Sequence, residues 1–261
     1  MDQPPQYVLL LAMAGAALAS PAGGFVTLWV RPSTLFLSCV LGFASGVLMG
    51  AIAFEMLPSA FEHAGLALAV AGFGAGLAAI YALDLFVHRG FLVGEASEQR
   101  LRLRGGRRAR GDEITVLAGG TSIEELVEGL TIGVALAVEP ELGLLVALAV
   151  GIDNLAEGLS IGELIRNAKN GDGRRAAWRI ILWTSTIALA LIVSSLVGWF
   201  LLRDLPGGML GLLFGVSAGG IFYLTVTDLV PEAEKHQFQQ APAIAMGAGL
   251  MLMFALSSFG R

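Results

Sequence analysis

The chain of 261 residues is short of charge, cysteine and histidine. Asp, Glu, Lys and Arg make up 14% of it, against about 25% in an ordinary soluble domain. That is too little to cover the surface of a water-soluble protein of this length. The single cysteine, Cys39, sits inside an apolar run, which rules out an internal disulfide. A net charge of −5 argues against polyanion partners, so no nucleic acid is expected. Low-complexity polar tracts are missing as well, which removes disorder as a reading. What remains is an apolar chain, 56% hydrophobic, with 35 glycines placed within its apolar runs. Glycine is commoner in membrane helices than in soluble ones. The fold class expected is all-α: a polytopic membrane protein forming a single transmembrane domain over 1–261.

A helix needs about 20 apolar residues to cross the hydrocarbon core. Eight such runs are present, at about 7–30, 35–57, 64–87, 114–138, 142–165, 179–202, 207–230 and 241–259. The first resembles a signal peptide, with Ala17-Leu18-Ala19 as a cleavage site, but Asp2 and the lack of a preceding positive charge are the wrong flank. It is expected to stay as a span. Orientation follows from the basic residues. Fourteen of the 16 Lys and Arg fall on the side reached after odd-numbered spans, including seven Arg between Arg89 and Arg110 and five basic residues from Arg166 to Arg179. Both termini are therefore expected outside, with an Arg-rich loop at about 88–113 in the cytoplasm. That loop reads as a solvated, topology-setting segment beside anionic headgroups.

Ionisable groups inside spans are costly and usually line a polar path or site. The fourth run carries Glu124, Glu125 and Glu128, and the fifth carries Asp153 and Glu157, all near mid-span. Glu124 and Glu128 are four apart, as are Asp153 and Glu157, so each pair shares a helix face. The two segments are copies. Residues 122–133 read SIEELVEGLTIG and residues 151–162 read GIDNLAEGLSIG, matching at seven of twelve positions at an offset of 29. Successive spans run in opposite directions, so the copies form an inverted repeat, a common way for transporters to place a mid-depth site. Two carboxylates about 4 Å apart repel by roughly 4 kcal/mol at an effective dielectric of 20. Either protons are shared among these groups or a divalent cation sits between them, and oxygen ligands at this density suit a metal. Asn154, opposite Glu125 in the repeat, offers a neutral oxygen. Small-xxx-small glycine pairs beside the acids, Gly129/Gly133 and Gly158/Gly162, allow close helix packing, as do Gly42/Gly46/Gly50 and Gly207/Gly211/Gly215/Gly219.

At these residues the chain resembles the ZIP (Zrt/Irt-like) family of divalent metal transporters. The likeness runs through Glu124-Glu125-Leu126-Val127-Glu128-Gly129 and Asp153-Asn154-Leu155-Ala156-Glu157-Gly158, with echoes in Gly46-Val47-Leu48-Met49, Leu57-Pro58 and Asp228-Leu229-Val230-Pro231-Glu232. The resemblance implies a metal site made of Glu124, Glu125, Glu128, Asp153, Asn154 and Glu157. It places Glu55 at the entrance of the path and Asp228 at its exit, with Asp84 and His88 as further exit candidates. It also implies inward transport across the cytoplasmic membrane and a homodimer. The metal is substrate, and no prosthetic group is expected. Departures bear on selectivity. Glu124 stands where relatives carry a histidine, Val127 and Ala156 replace motif prolines, and the sixth span offers only Thr184, Ser185 and Thr186 where many relatives have Glu-Pro. An imidazole favours zinc, so its loss brings Mn²⁺ and Fe²⁺ into contention beside zinc.

Two other chemistries use buried acids. A dinuclear carboxylate oxidase would need Glu-x-x-His ligands, but His63, His88 and His236 lie at span ends, away from the repeat. A proton-coupled organic-cation carrier would need an aromatic cage, and few aromatics lie near 124–157. The sequence is read as a transporter and not as an enzyme.

Overall fold

The computed structural model describes residues 5–87, 109–167, 173–235 and 240–259, with backbone alone for 84, 86, 87, 109–120, 122, 123 and 259. Most of the Arg-rich loop, His88, His236 and the side chain of Asp84 therefore lie outside the described residues. Apart from short connections, everything described is helical. The helices are α1 (Gln6–Trp29), α2 (Thr34–Ala51), α3 (Leu57–Val87), α4 (Ala109–Val138), α5 (Pro140–Asn167), α6 (Gly173–Val197), α7 (Gly207–Leu224), α8 (Val230–Glu234) and α9 (Gln240–Phe259). Among the described residues, six helical stretches are long and apolar enough to cross a membrane, one of them the 50-residue run Thr34–Leu83. The chain is an all-α, multi-pass membrane protein.

Local chemistry sets the boundaries. After α1, Val30 is extended, and Pro32 biases the residue before it away from helix. Ser33 then opens α2, its hydroxyl accepting the Phe36 N–H at 3.2 Å. Pro140 stops α4 just before Glu139 and serves as the first residue of α5. Gly65, at φ 73° and ψ 168°, interrupts α3 in a conformation open essentially to glycine. The long Thr34–Leu83 run is thereby cut at the start of the third predicted span.

Two π-helical turns stand out. Ile52–Met56 follows α2, with the Leu57 N–H bonded to the Ile52 carbonyl. Thr225–Leu229 follows α7, with the Val230 N–H bonded to the Thr225 carbonyl. A proline stands two residues beyond the end of each, Pro58 and Pro231. Its missing N–H and its ring prevent a regular ladder, so the turn widens. Glu55 and Asp228 occupy the same position in these two turns.

The most extensive contacts pair α1 with α5, α2 with α9, α3 with α7, and α4 with α6. Lipid supplies no hydrophobic drive between helices, so close packing must hold them. Glycines permit it. A Cβ on Gly158 would strike the Ser20 carbonyl of α1, and one on Gly46 would strike the Met246 carbonyl of α9. Gly219 meets Phe73 of α3 in the same way, and Gly133 meets Ser195 of α6. Helices α1, α4, α5 and α6 form one group, while α2, α3, α7 and α9 form another. The groups meet mainly where α2 touches α5 and α4 touches α7.

Candidate metal site

Antiparallel neighbours α4 and α5 carry the acids predicted from the repeat. All six motif side chains are buried: Glu125, Glu128 and Asp153 at 1% exposure, Asn154 at 0%, Glu124 at 4% and Glu157 at 9%. Glu124, Glu128 and Asp153 converge most tightly, each offering an oxygen, all within 4.8 Å of one another. Ligand atoms around a tetrahedral zinc ion are about 3.4 Å apart, given bonds of about 2.1 Å. Small side-chain rotations therefore suffice to close this trio on a divalent ion.

The other motif residues play different parts. The Asn154 amide donates to the Ala16 carbonyl of α1 at 3.1 Å and to Glu125 Oε2 at 3.4 Å. Both partners are acceptors, so the amide nitrogen faces them and Oδ1 is the oxygen left over. Glu125 is thus tied to Asn154 and stands outside the tight trio. Glu157 is buried beside the trio without joining it. One oxygen each of Glu124, Glu128, Asp153, Glu157 and Asn154 is buried with no hydrogen-bond partner among the described residues. Orphaned polar atoms of this kind are expensive in an apolar interior. Together they offer an all-oxygen chemistry that suits a divalent metal.

Glu55 also has a buried, unpartnered oxygen, Oε1, in the π turn after α2. Asp228 is exposed in the π turn after α7, close enough to Glu124 for the two charges to repel. Among the sixth-span hydroxyls, Thr184 and Thr186 donate back to Ile180 and Leu182 of their own helix, and Ser185 is exposed. None stands in for the missing Glu-Pro.

Sequence reasoning set the histidines aside as remote. The structure joins one of them to Glu139, just beyond α4. The Ser59 hydroxyl donates to Glu139 Oε1 at 2.9 Å, and His63 Nδ1 lies 3.2 Å from the same oxygen. The four-residue spacing of Ser59 and His63 was visible in the sequence, but nothing there pointed to Glu139, which is 80 residues from Ser59.

The pattern of the ZIP Zinc transporter family matches residues 96–256. Among curated proteins, the zinc transporter ZupT of Salmonella paratyphi A (strain ATCC 9150 / SARB42) is 28% identical over 251 residues, covering 94% of this chain and 93% of that protein. The ZupT proteins of Salmonella newport (strain SL254) and Salmonella enteritidis PT4 (strain P125109) show the same identity and coverage. With a buried acidic trio on paired helices and a family match over more than half its length, the chain belongs to the ZIP zinc transporter family.

Proposed function

We propose that this protein carries divalent metal ions, zinc first among them, into the cell across the cytoplasmic membrane. The observation that carries this reading is the buried trio Glu124, Glu128 and Asp153 with its unpartnered oxygens, in a chain of a zinc transporter family. Family membership makes the protein a transporter, which disposes of the oxidase. The metal is its substrate. Mn²⁺ and Fe²⁺ are further substrates consistent with an all-oxygen site.

The proposed architecture is one domain of eight crossings with both termini outside, the Arg-rich loop cytoplasmic, and two copies of the chain paired in the lipid. An inverted repeat is supported by more than the doubled acidic motif. The π turns after α2 and α7 are offset by 173 residues, and so are their acids and the prolines beyond them. The same offset relates the packing contacts. Gly46 against Met246 corresponds to Gly219 against Phe73, and Gly249 against Phe43 corresponds to Gly76 against Val216. Glu55 and Asp228 become equivalent residues on helices of opposite direction, one near the outer mouth and the other near the cytoplasm.

Transport then follows from placement. Glu55 draws the ion inward, and Glu124, Glu128 and Asp153 replace part of its water shell, with Asn154 Oδ1 and Glu157 within the same buried cluster. The site closes outside before Asp228 receives the ion on the inner side. Replacing Glu128 or Glu157 by Ala abolishes zinc uptake into proteoliposomes while the protein still inserts. Undiminished accumulation with either variant overturns this function.

A further inference from the structure

The Ser59–Glu139–His63 group takes no part in the steps above, yet it is built as a ligand is built. His63 Nδ1 lies 3.2 Å from Glu139 Oε1 and 3.1 Å from the Ser59 carbonyl. Both neighbours are acceptors, so Nδ1 carries the proton of the neutral ring and the lone pair sits on Nε2. A carboxylate and a carbonyl behind one ring nitrogen are the usual support of a metal-ligating imidazole, fixing its tautomer and raising its basicity. Ser59 in turn holds the carboxylate, and Phe214 packs edge-on against the ring at 6.0 Å. Among the described residues nothing hydrogen-bonds to Nε2, and the His63 side chain is 23% exposed.

Its place on the path is as telling. Glu139 lies eleven residues beyond Glu128, about 16 Å farther along the α4 axis. Ser59 and His63, four apart, share a helix face, and Glu55 with its buried oxygen lies four residues earlier. Ser59 is buried between the half-buried His63 and Glu55. Charge at this end favours cations: Glu62 and Glu141 are exposed near Glu139, while Arg203 faces Asp204 at 3.7 Å.

We propose that His63, through Nε2, is an outer capture ligand for the incoming borderline divalent cation, with Glu139 and Ser59 as its positioning residues. This rests on the transport direction and orientation proposed above. It gives the protein a nitrogen donor at the mouth that the all-oxygen site lacks. Imidazole binds zinc-class ions in preference to magnesium, so ions are sorted before they reach the carboxylates.

The test uses the full-length protein in proteoliposomes. Diethyl pyrocarbonate modification of His63 is followed by peptide mass spectrometry with Zn²⁺, with Mg²⁺ and without added metal. Zinc slows modification about tenfold at about ten times its dissociation constant, because that fraction of sites is left free. Magnesium does not. The Glu128→Ala protein keeps this protection although it no longer transports. His63→Gln and Glu139→Gln raise the zinc concentration for half-maximal uptake about tenfold, the lower end of what losing such a partner costs, and leave the maximal rate intact. Failure of zinc to protect His63, or an unchanged half-saturation in His63→Gln, overturns the proposal. So does a collapse of the maximal rate that saturating zinc cannot restore, since the ring is then merely structural. Uptake persisting in Glu128→Ala would instead refute the deep site and leave the outer ligand standing.

Discussion

Glu128→Gln separates a metal site from a packing feature, because its effects on stability and on transport have opposite signs. The substitution keeps the shape of the side chain and removes one charge from a trio whose oxygens lie within 4.8 Å of one another. At that separation each ionised pair repels by about 3 kcal/mol at an effective dielectric of about 20. In chelator-treated detergent solution the variant is therefore more stable than the parent, by about 3 kcal/mol if one ionised neighbour is relieved. Zinc nearly closes that gap. At a concentration about a hundredfold above its dissociation constant, zinc stabilises the parent by about 2.7 kcal/mol. If the variant binds about a hundredfold more weakly, the gain falls to about 0.4 kcal/mol at the same concentration. Thermal unfolding of both proteins, with and without zinc, reads all four values, and zinc flux into proteoliposomes reads the lost function. A variant less stable than the parent without metal, or equally stabilised by zinc, would mean that the acids are not held together for an ion.

Five further substitutions probe the frame around the trio. Asn154→Ala removes Oδ1 and the bond to the Ala16 carbonyl, so zinc affinity measured by competition falls about tenfold. Gly158→Ala drives a Cβ into the Ser20 carbonyl and lowers stability by about 1–3 kcal/mol. Gly74→Ala, which points into open space, changes stability by less than about 0.5 kcal/mol; comparable thermal shifts for the two would refute the packing argument. Pro58→Ala and Pro231→Ala each restore an N–H that favours a regular helix over the π turn. Maximal uptake falls several-fold with circular dichroism unchanged, and full uptake in both variants would show that the turns do not matter.

Much of this was legible in the chain because lipid imposes a strict code. The apolar runs at 7–30, 142–165 and 241–259 coincide closely with α1, α5 and α9, since backbone polar groups in a bilayer must be paired within the helix. The acids on α4 and α5 were legible because a mid-span carboxylate has few innocent explanations. The division of labour within the motif was not. Spacing put Glu124, Glu125 and Glu128 on one helix, but the alignment of α1 decided that Asn154 would turn its nitrogen to Ala16 and keep Glu125 beside it. The prolines after Glu55 and Asp228 were read as family echoes, although a proline near a span end also predicts a disturbed ladder. His63 and Glu139 meet only through the tertiary fold, a contact that no local periodicity encodes.

The central claim is that an ion rests between α4 and α5, and anomalous diffraction at the zinc edge from zinc-loaded crystals tests it most directly. The account predicts a strong peak within bonding distance of Glu124, Glu128 and Asp153, about 2.0–2.2 Å from each oxygen, that disappears in Glu128→Ala crystals. Zinc-loaded crystals of an actively transporting protein with no peak between these helices would contradict it.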